Sequence, residues 1–372
     1  MKSIIQPHRF SILKWESQAI PSEARQWVSG ENSGAADDVR AVYEFFSLLE
    51  KINSLKLCMN SIDAGKVVAD KAAIGEEIGI FEAKTEEFKE SAEGAIAAQI
   101  IGVLAEQGIY NPFCVRQFHL PPVSLRLEMP PHLLVVSPRD RIESISEITL
   151  NQDISIAQEE DIEGQVDNLG VSSLVVELGG FGGTFPTFVL STAGPRFAII
   201  TAVEEYLHQY LAFTPLGFRY LLDVTGIARD YEIATINETV AGTVSKEIGA
   251  IVYNKFYPDD VSEIGEEQGL DFNAEMRQIR RTVDRLLAMG EIEQAEQFME
   301  QKRLYLVSNG YYIRKLNQAY FAFYGMYGDS PISVSPIGLE VAELRSQYGS
   351  IKEFLDAASR LTSRQDLQSL LQ

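Results

Sequence analysis

Three side chains able to bind a metal ion or to transfer a proton fall within about one turn of a predicted helix. Residues 196–213 show apolar side chains at helical spacing, uninterrupted by Gly or Pro, at Phe197, Ile200, Val203, Leu207 and Leu211. Glu204 and His208 are four residues apart and so share one helix face, with Glu205 beside it. Carboxylate and imidazole groups serve as metal ligands and as general bases. The spacing therefore predicts a helix face with metal-binding or acid–base chemistry.

A downstream helix, predicted over residues 236–251, offers one more carboxylate, that of Glu238. This residue stands 30 positions after His208, near the start of a helix of otherwise small and apolar residues. A catalytic zinc site takes three protein ligands and leaves one position open, and a nearby carboxylate accepts a proton from water. An alternative role for Glu238 is a favourable interaction with the positive end of its own helix. Two separate helices thus supply the residue types that such a site requires.

The two helices together resemble the metal-site helices of the gluzincin-type zinc metallopeptidases, a superfamily with a zincin-like fold. The string E-E-Y-L-H at residues 204–208 differs at one position from H-E-x-x-H, and residues 237–241 read N-E-x-x-A. The order of the preceding segments is also similar, with strands and an edge-like segment before the first helix. The resemblance covers residues 172–250, about a fifth of the chain.

The resemblance implies roles for four residues. His208 corresponds to the second zinc ligand, Glu238 to the third, and Glu205 to the general base, while Glu204 stands where the family has its first His. A carboxylate also binds zinc, so Glu204 is compatible with a metal site. Two carboxylate ligands would cancel more of the positive charge of zinc and leave its water less acidic.

Two functions follow from this departure, and both stay open. The first is metal-dependent hydrolysis of peptide bonds with zinc as the cofactor. The second is a catalytically inactive zincin-fold protein that binds peptides or proteins. Zinc content separates these two, because the enzyme should hold about one zinc ion and the binding protein need not. A purely structural or interaction protein is a third possibility, and a fold without a cleft at Glu204, His208 and Glu238 would distinguish it.

Later segments suggest further contributors to the same site. Residues 313–324, with S-P-I-G at 335–338, are similar to uncharacterised bacterial proteins that carry the same two helices. By placement in this resemblance, Tyr320, Tyr324 and Arg314 are candidates for stabilising an oxyanion, with core packing as the alternative for the tyrosines. The segment from Phe185 to Leu190 is expected to be an edge strand that aligns a substrate by main-chain hydrogen bonds.

Other sites are disfavoured by their spacing. A ferritin-like carboxylate site needs a second E-x-x-H, and His8, His119 and His132 have no Glu three residues before them. The glycines of G-G-F-G-G at 179–183 lack the G-K-[ST] of a phosphate-binding loop, so a tight turn or a close backbone approach is favoured. No G-x-S-x-G motif is present.

Charge and composition restrict the partners. The 372 residues include 53 acidic and 32 basic side chains, giving a net charge of −21. Nucleic acids and anionic membranes attract basic surfaces, so this balance disfavours both. The two cysteines allow no disulfide framework, and no apolar run reaches the roughly 18 residues of a membrane span. The N-terminus lacks a signal-peptide pattern, so we expect a soluble cytoplasmic protein. The resemblance implies a peptide or protein as its substrate.

Hydrophobic periodicity and the placement of Pro divide the chain into three predicted regions. Residues 1–110 read as helical, residues 111–260 contain strands and the two metal-site helices, and residues 261–372 return to helical patterns. Pro pairs and short apolar runs after residue 111 are typical of strands and turns. The predicted fold class is α+β, zincin-like and mostly helical, with a small mixed β-sheet.

Overall fold

The computed structural model is mostly helical, with two small sheets, which confirms the α+β class. It describes residues 1–17, 19, 38–63, 70–113, 117–258, 271–328, 330 and 332–372. The helices are α1 (Lys2–Ile5), α2 (Val39–Asp63), α3 (Lys71–Glu106), α4 (Ile156–Asp167), α5 (Pro195–Leu211), α6 (Pro215–Val224), α7 (Tyr231–Phe256), α8 (Phe272–Ala288), α9 (Ile292–Ser308), α10 (Gln318–Tyr324), α11 (Ile337–Ser346), α12 (Ile351–Ala358) and α13 (Arg364–Leu370). The strands are β1 (Leu125–Leu127), β2 (His132–Pro138), β3 (Ser146–Leu150), β4 (Val171–Val176), β5 (Gly180–Phe181) and β6 (Thr187–Val189).

The first long helices, α2 and α3, pack side by side. Near residue 92 the sequence of α3 changes from charged to apolar, and the burial of its side chains changes at the same point while the helix continues. Its first half is largely exposed, whereas the segment from Ala92 to Leu104 is largely buried in the main core. That core also receives side chains from α5, α7 and the last three helices. Among the described residues, no helix combines the length and the apolar character that crossing a bilayer requires.

The strands form two three-stranded sheets, one of which is the small mixed sheet that was expected. One sheet is antiparallel, in the order β3–β2–β4, and lies between α4 on one face and α10 on the other. The other sheet is mixed, in the order β1–β6–β5, with β1 and β6 parallel. β6 is therefore a central strand paired on both sides, so the predicted edge strand between Phe185 and Leu190 is wrong.

Helices α5 and α7 pack closely against each other, and this contact positions the site. A Cβ atom on Gly249 would lie 2.6 Å from Ile200 Cγ1, so the glycine in α7 makes room for the side chain from α5. Val203, Leu207 and Val244 are fully buried in the same core. The apolar spacing that predicted each helix thus reflects real burial, and the polar faces of both helices meet at the edge of that contact.

Candidate metal centre

Two helices bring the predicted metal ligands together. α5 carries Glu204 and His208 one turn apart, and α7 carries Glu238. One ligand atom from each of these three residues lies within 4.8 Å of the others. His208 Nε2 and Glu238 Oε2 are 3.5 Å apart. The three side chains expected to converge therefore lie side by side.

The donor set fits a zinc ion. Two ligand atoms each about 2.1 Å from a tetrahedral ion lie about 3.4 Å apart. The 3.5 Å between His208 Nε2 and Glu238 Oε2 is close to that separation. One imidazole and two carboxylates suit zinc and other divalent transition metals. A Cβ atom on Gly242 would lie 3.7 Å from Glu204 Oε1, so α7 passes close to the carboxylate of Glu204.

A tyrosine and the imidazole both bind the carboxylate of Glu238. Tyr220 on α6 donates its hydroxyl to Glu238 Oε1 at 2.6 Å, and its ring stacks on that of His208. Burial would raise the pKa of Glu238, but the charge and hydrogen bond of His208 and the hydroxyl of Tyr220 lower it. Burial would lower the pKa of His208, yet Glu238, with Glu205 and Glu204, raises it to about 10. Without metal, His208 and Glu238 therefore form an ion pair.

Asn237 contacts the other nitrogen of the His208 ring. Its Nδ2 lies 3.1 Å from His208 Nδ1, and its Oδ1 is buried without a hydrogen-bond partner among the described residues. The two ends of the amide have nearly the same size, so a half-turn would place Oδ1 against Nδ1. Nδ1–H would then donate to Oδ1 and leave the lone pair of Nε2 facing Glu238, which is the tautomer that a metal requires.

The carboxylate of Glu205 lies against the glycine-rich turn at residues 179–183. A Cβ atom on Gly180 would be 2.5 Å from Glu205 Oε1, and one on Gly182 would be 2.7 Å from Oε2. The backbone N–H of Gly182 donates to this carboxylate. Gln209, directly after His208, donates to the carbonyl oxygen of Gly182 at 3.2 Å and so holds the turn against α5. The glycines are needed for this close approach, as the sequence interpretation favoured.

The surroundings of Glu205 tune it for proton transfer. Burial raises its pKa to about 7, and the negative charges of Glu204 and Glu238 act in the same direction. His208 and the N–H of Gly182 lower the pKa and limit the rise. A carboxyl group with a pKa near neutrality is suited to act as a general base and then as a general acid.

Tyr327 is a neighbour of the site that the sequence analysis does not identify. Burial, together with the charges of the three glutamates, raises the pKa of Tyr327 well above its usual value. The following residue, Gly328, donates its N–H to Thr239 Oγ1 on α7 at 3.0 Å, which anchors this segment beside the site. The hydroxyl of Tyr327 therefore keeps its proton at neutral pH.

The three residues predicted to stabilise an oxyanion lie elsewhere. Arg314 donates two hydrogen bonds to Glu163, at 2.9 and 2.6 Å. The rings of Tyr320 and Tyr324 contact each other at a tilt, with centroids 4.6 Å apart, and pack against the antiparallel sheet. These contacts place the three residues with α4 and the antiparallel sheet instead of with α5 and α7. The tyrosines near the site are instead Tyr220 and Tyr327, and no periodic pattern in the sequence marks either of them.

Comparison of the chain with protein-family models, with curated protein sequences and with solved structures gives no match.

Proposed function

We propose that this chain has a zincin-like fold related to the gluzincin-type zinc metallopeptidases and hydrolyses peptide bonds. The observation that carries the proposal is the meeting of Glu204, His208 and Glu238 from two helices, beside the carboxylate of Glu205. Three ligands for one ion with an adjacent base of suitable pKa are the set that metal-assisted hydrolysis uses.

Proton transfer is the part of the reaction that Glu205 would perform. Zinc, when bound, supplies Lewis acidity at the scissile carbonyl and at the attacking water. Glu205, with its pKa of about 7, accepts the proton of that water and returns it to the departing amine. The turn around Gly182 holds the carboxylate in place during both transfers.

Tyr327 is suited to the charged stage of the reaction. Its protonated hydroxyl can donate a hydrogen bond to the oxygen that becomes negative on the scissile carbonyl. Tyr220 already donates to Glu238, so it acts on a metal ligand instead of on the substrate. The oxyanion role thus moves from Tyr320, Tyr324 and Arg314 to Tyr327.

The substrate would lie along β5 instead of β6. β5 forms the outer strand of the mixed sheet among the described residues, and it leads into the turn that contacts Glu205. An extended peptide can add to such an edge through main-chain hydrogen bonds. This placement brings a peptide bond next to the base without requiring a specific side-chain sequence.

Metal content and peptide hydrolysis, measured on the same preparations, test the proposal. The natural protein should hold about one zinc ion at this centre and cleave members of a mixed peptide library. Glu205→Gln should keep the zinc and lose cleavage, whereas His208→Ala should lose the zinc ion of this centre together with cleavage. Glu343→Gln makes the same chemical change on an exposed part of α11 and should leave both readouts unchanged.

The substitution at position 204 favours one alternative. With two carboxylates as ligands, the zinc site would be electrically neutral and a weaker Lewis acid. An inactive peptide-binding protein would bind library peptides and cleave none of them, whether or not it holds zinc. A natural protein that binds no zinc in this centre would overturn the proposed hydrolysis and would favour the peptide-binding alternative.

A further inference from the structure

A second group of metal-binding side chains lies at one end of the antiparallel sheet. One ligand atom each from His132, Glu159 and Glu177 falls within 4.8 Å of the others. His132 begins β2, and because Leu133 pairs with Val176 on β4, His132 and Glu177 stand opposite on the same face. α4 packs on that face and brings Glu159 to the same place. Three segments that are distant in sequence thus meet at one point.

The orientation of the His132 ring directs one nitrogen toward the acidic groups. The ring is 3 % exposed, and its Nδ1 lies 3.1 Å from the carbonyl oxygen of Asn151. A carbonyl oxygen only accepts, so Nδ1 carries the proton of this hydrogen bond. Nε2 faces Glu159 Oε1 at 3.4 Å. A lone pair on Nε2 and a carboxylate oxygen repel each other, so a second proton or a metal ion must separate them.

The distance between the two groups suits two ligands of one metal ion. Charge-assisted hydrogen bonds between nitrogen and carboxylate oxygen are about 2.7–2.9 Å long. Two ligands of one zinc ion, each about 2.1 Å from it, are about 3.4 Å apart. The separation of His132 Nε2 and Glu159 Oε1, at 3.4 Å, matches the second value. A hydrogen bond from Nδ1 to a backbone carbonyl is also the usual way to orient a metal-binding His.

The local charge has the sign that a cation would balance. Arg314 forms ion pairs with Glu159 and Glu163, and Lys315 forms ion pairs with Glu163 and Asp167, so three carboxylates share two basic groups. The carboxylate of Glu177, close to Glu159, adds negative charge at the same place. Burial raises the pKa of Glu159 in spite of the charges of Arg314 and His132, and the charges of Glu177 and Glu163 act in the same direction as burial.

We propose that His132, Glu159 and Glu177 bind a second divalent transition-metal ion such as zinc, which fastens α4 to the sheet. An imidazole ligand favours such ions over magnesium and calcium, which prefer oxygen. The exposed Glu177 provides the route by which the ion enters. Arg314 Nε lies 3.2 Å from Glu159 Oε2 and closes the site on that side, so the ion stabilises the fold and does not meet a substrate.

The test uses full-length protein freed of metal with a chelator and then titrated with zinc. His208→Ala removes the first centre, so this variant should still bind one ion and should melt at a higher temperature when zinc is present. Adding His132→Asn to it should abolish both effects. Adding Glu177→Gln, at an exposed position, should weaken binding at least about tenfold. Adding Glu160→Gln, an exposed neighbour on α4, should change nothing and is the matched control.

Each outcome decides the proposal independently of the first centre. A folded His208→Ala protein, shown by circular dichroism, that binds no zinc overturns the second site. Equal zinc affinity in the Glu177→Gln and Glu160→Gln variants overturns it as well. Protons on both His132 nitrogens in the presence of zinc, seen by nitrogen-15 NMR, would show that a proton separates the pair. The proposal is supported if the His208→Ala/His132→Asn variant loses the ion while the His208→Ala/Glu160→Gln control retains it.

Discussion

Zinc binding at the centre of Glu204, His208 and Glu238 should release about one proton at neutral pH, and the affinity should rise steeply with pH. Burial favours the neutral form of His208, but the charge of Glu238 and its neighbours raises the pKa of the ring to about 10 in the metal-free protein. Only the deprotonated nitrogen binds a metal. The proton on His208 therefore competes with zinc throughout the neutral range.

The size of this competition follows from the pKa. At pH 7 the ring of His208 lies about three pH units below its pKa, which corresponds to about 4 kcal/mol, or about a thousandfold in zinc affinity. The protonated form is the one that cannot bind, so affinity rises with pH, by about tenfold per unit, until the pKa is reached. The pKa of Glu238 is lowered, so this group is already ionised and contributes no proton.

Calorimetric titration with zinc, in buffers of different ionisation enthalpy, measures the protons released per ion. Competition with a chelator, from about pH 6.5 to about pH 8.5, measures the change in affinity. His208→Ala supplies the blank, because any heat that remains in this variant comes from other sites. An affinity that does not change with pH, or a release far below one proton, would refute the ion pair between His208 and Glu238.

Further substitutions test the other parts of the centre. Glu204→His should raise both zinc affinity and hydrolysis of a peptide library, because one positive charge then remains on the site. Adding Glu205→Gln should remove the gain in hydrolysis. Equal activity in the natural protein and in Glu204→His would show that Glu204 is a competent ligand. Tyr220→Phe deletes the 2.6 Å hydrogen bond to Glu238 and should weaken zinc binding about tenfold or more, as measured by chelator competition, and an unchanged affinity would contradict this role. Gly182→Ala puts a methyl group 2.7 Å from Glu205 Oε2 and should reduce hydrolysis at least about tenfold with zinc content unchanged, whereas full activity would show that the carboxylate is not held by the turn.

Helical periodicity made the centre predictable in part. The spacing of four between Glu204 and His208 fixes their shared face as soon as the segment is a helix, and α5 begins and ends within two residues of the prediction. The meeting with Glu238 depends on how α5 packs on α7, which periodicity does not specify. Tyr220 and Tyr327 reach the site through loops and a short helix, and their sequence neighbourhood has no feature that sets them apart from packed tyrosines.

The strands were harder to place, because neighbours in a sheet are not visible in a single sequence. Thr187, Phe188 and Val189 are all buried, as is typical of a central strand. Its parallel partner, β1, lies 62 residues earlier in the chain, and no local pattern indicates this pairing. The ion pairs of Arg314 with Glu163 and Glu159 likewise depend on the packing of α4 on the antiparallel sheet.

The two carboxylates at positions 204 and 205 affect the proposed chemistry in opposite directions. Glu204 as a ligand reduces the positive charge at the centre, which makes an attacking water less acidic. The same loss of positive charge leaves Glu205 more basic, and its pKa is already about 7 because of burial and the neighbouring glutamates. Proton transfer depends on the difference between the two pKa values, so a stronger base offsets part of the lost acidity. Glu204→His should therefore lower the pKa of Glu205 as well as that of the water, and the acidic limb of the pH profile of hydrolysis should move to lower pH. A limb that stays in place would show that the charge of residue 204 does not reach the base.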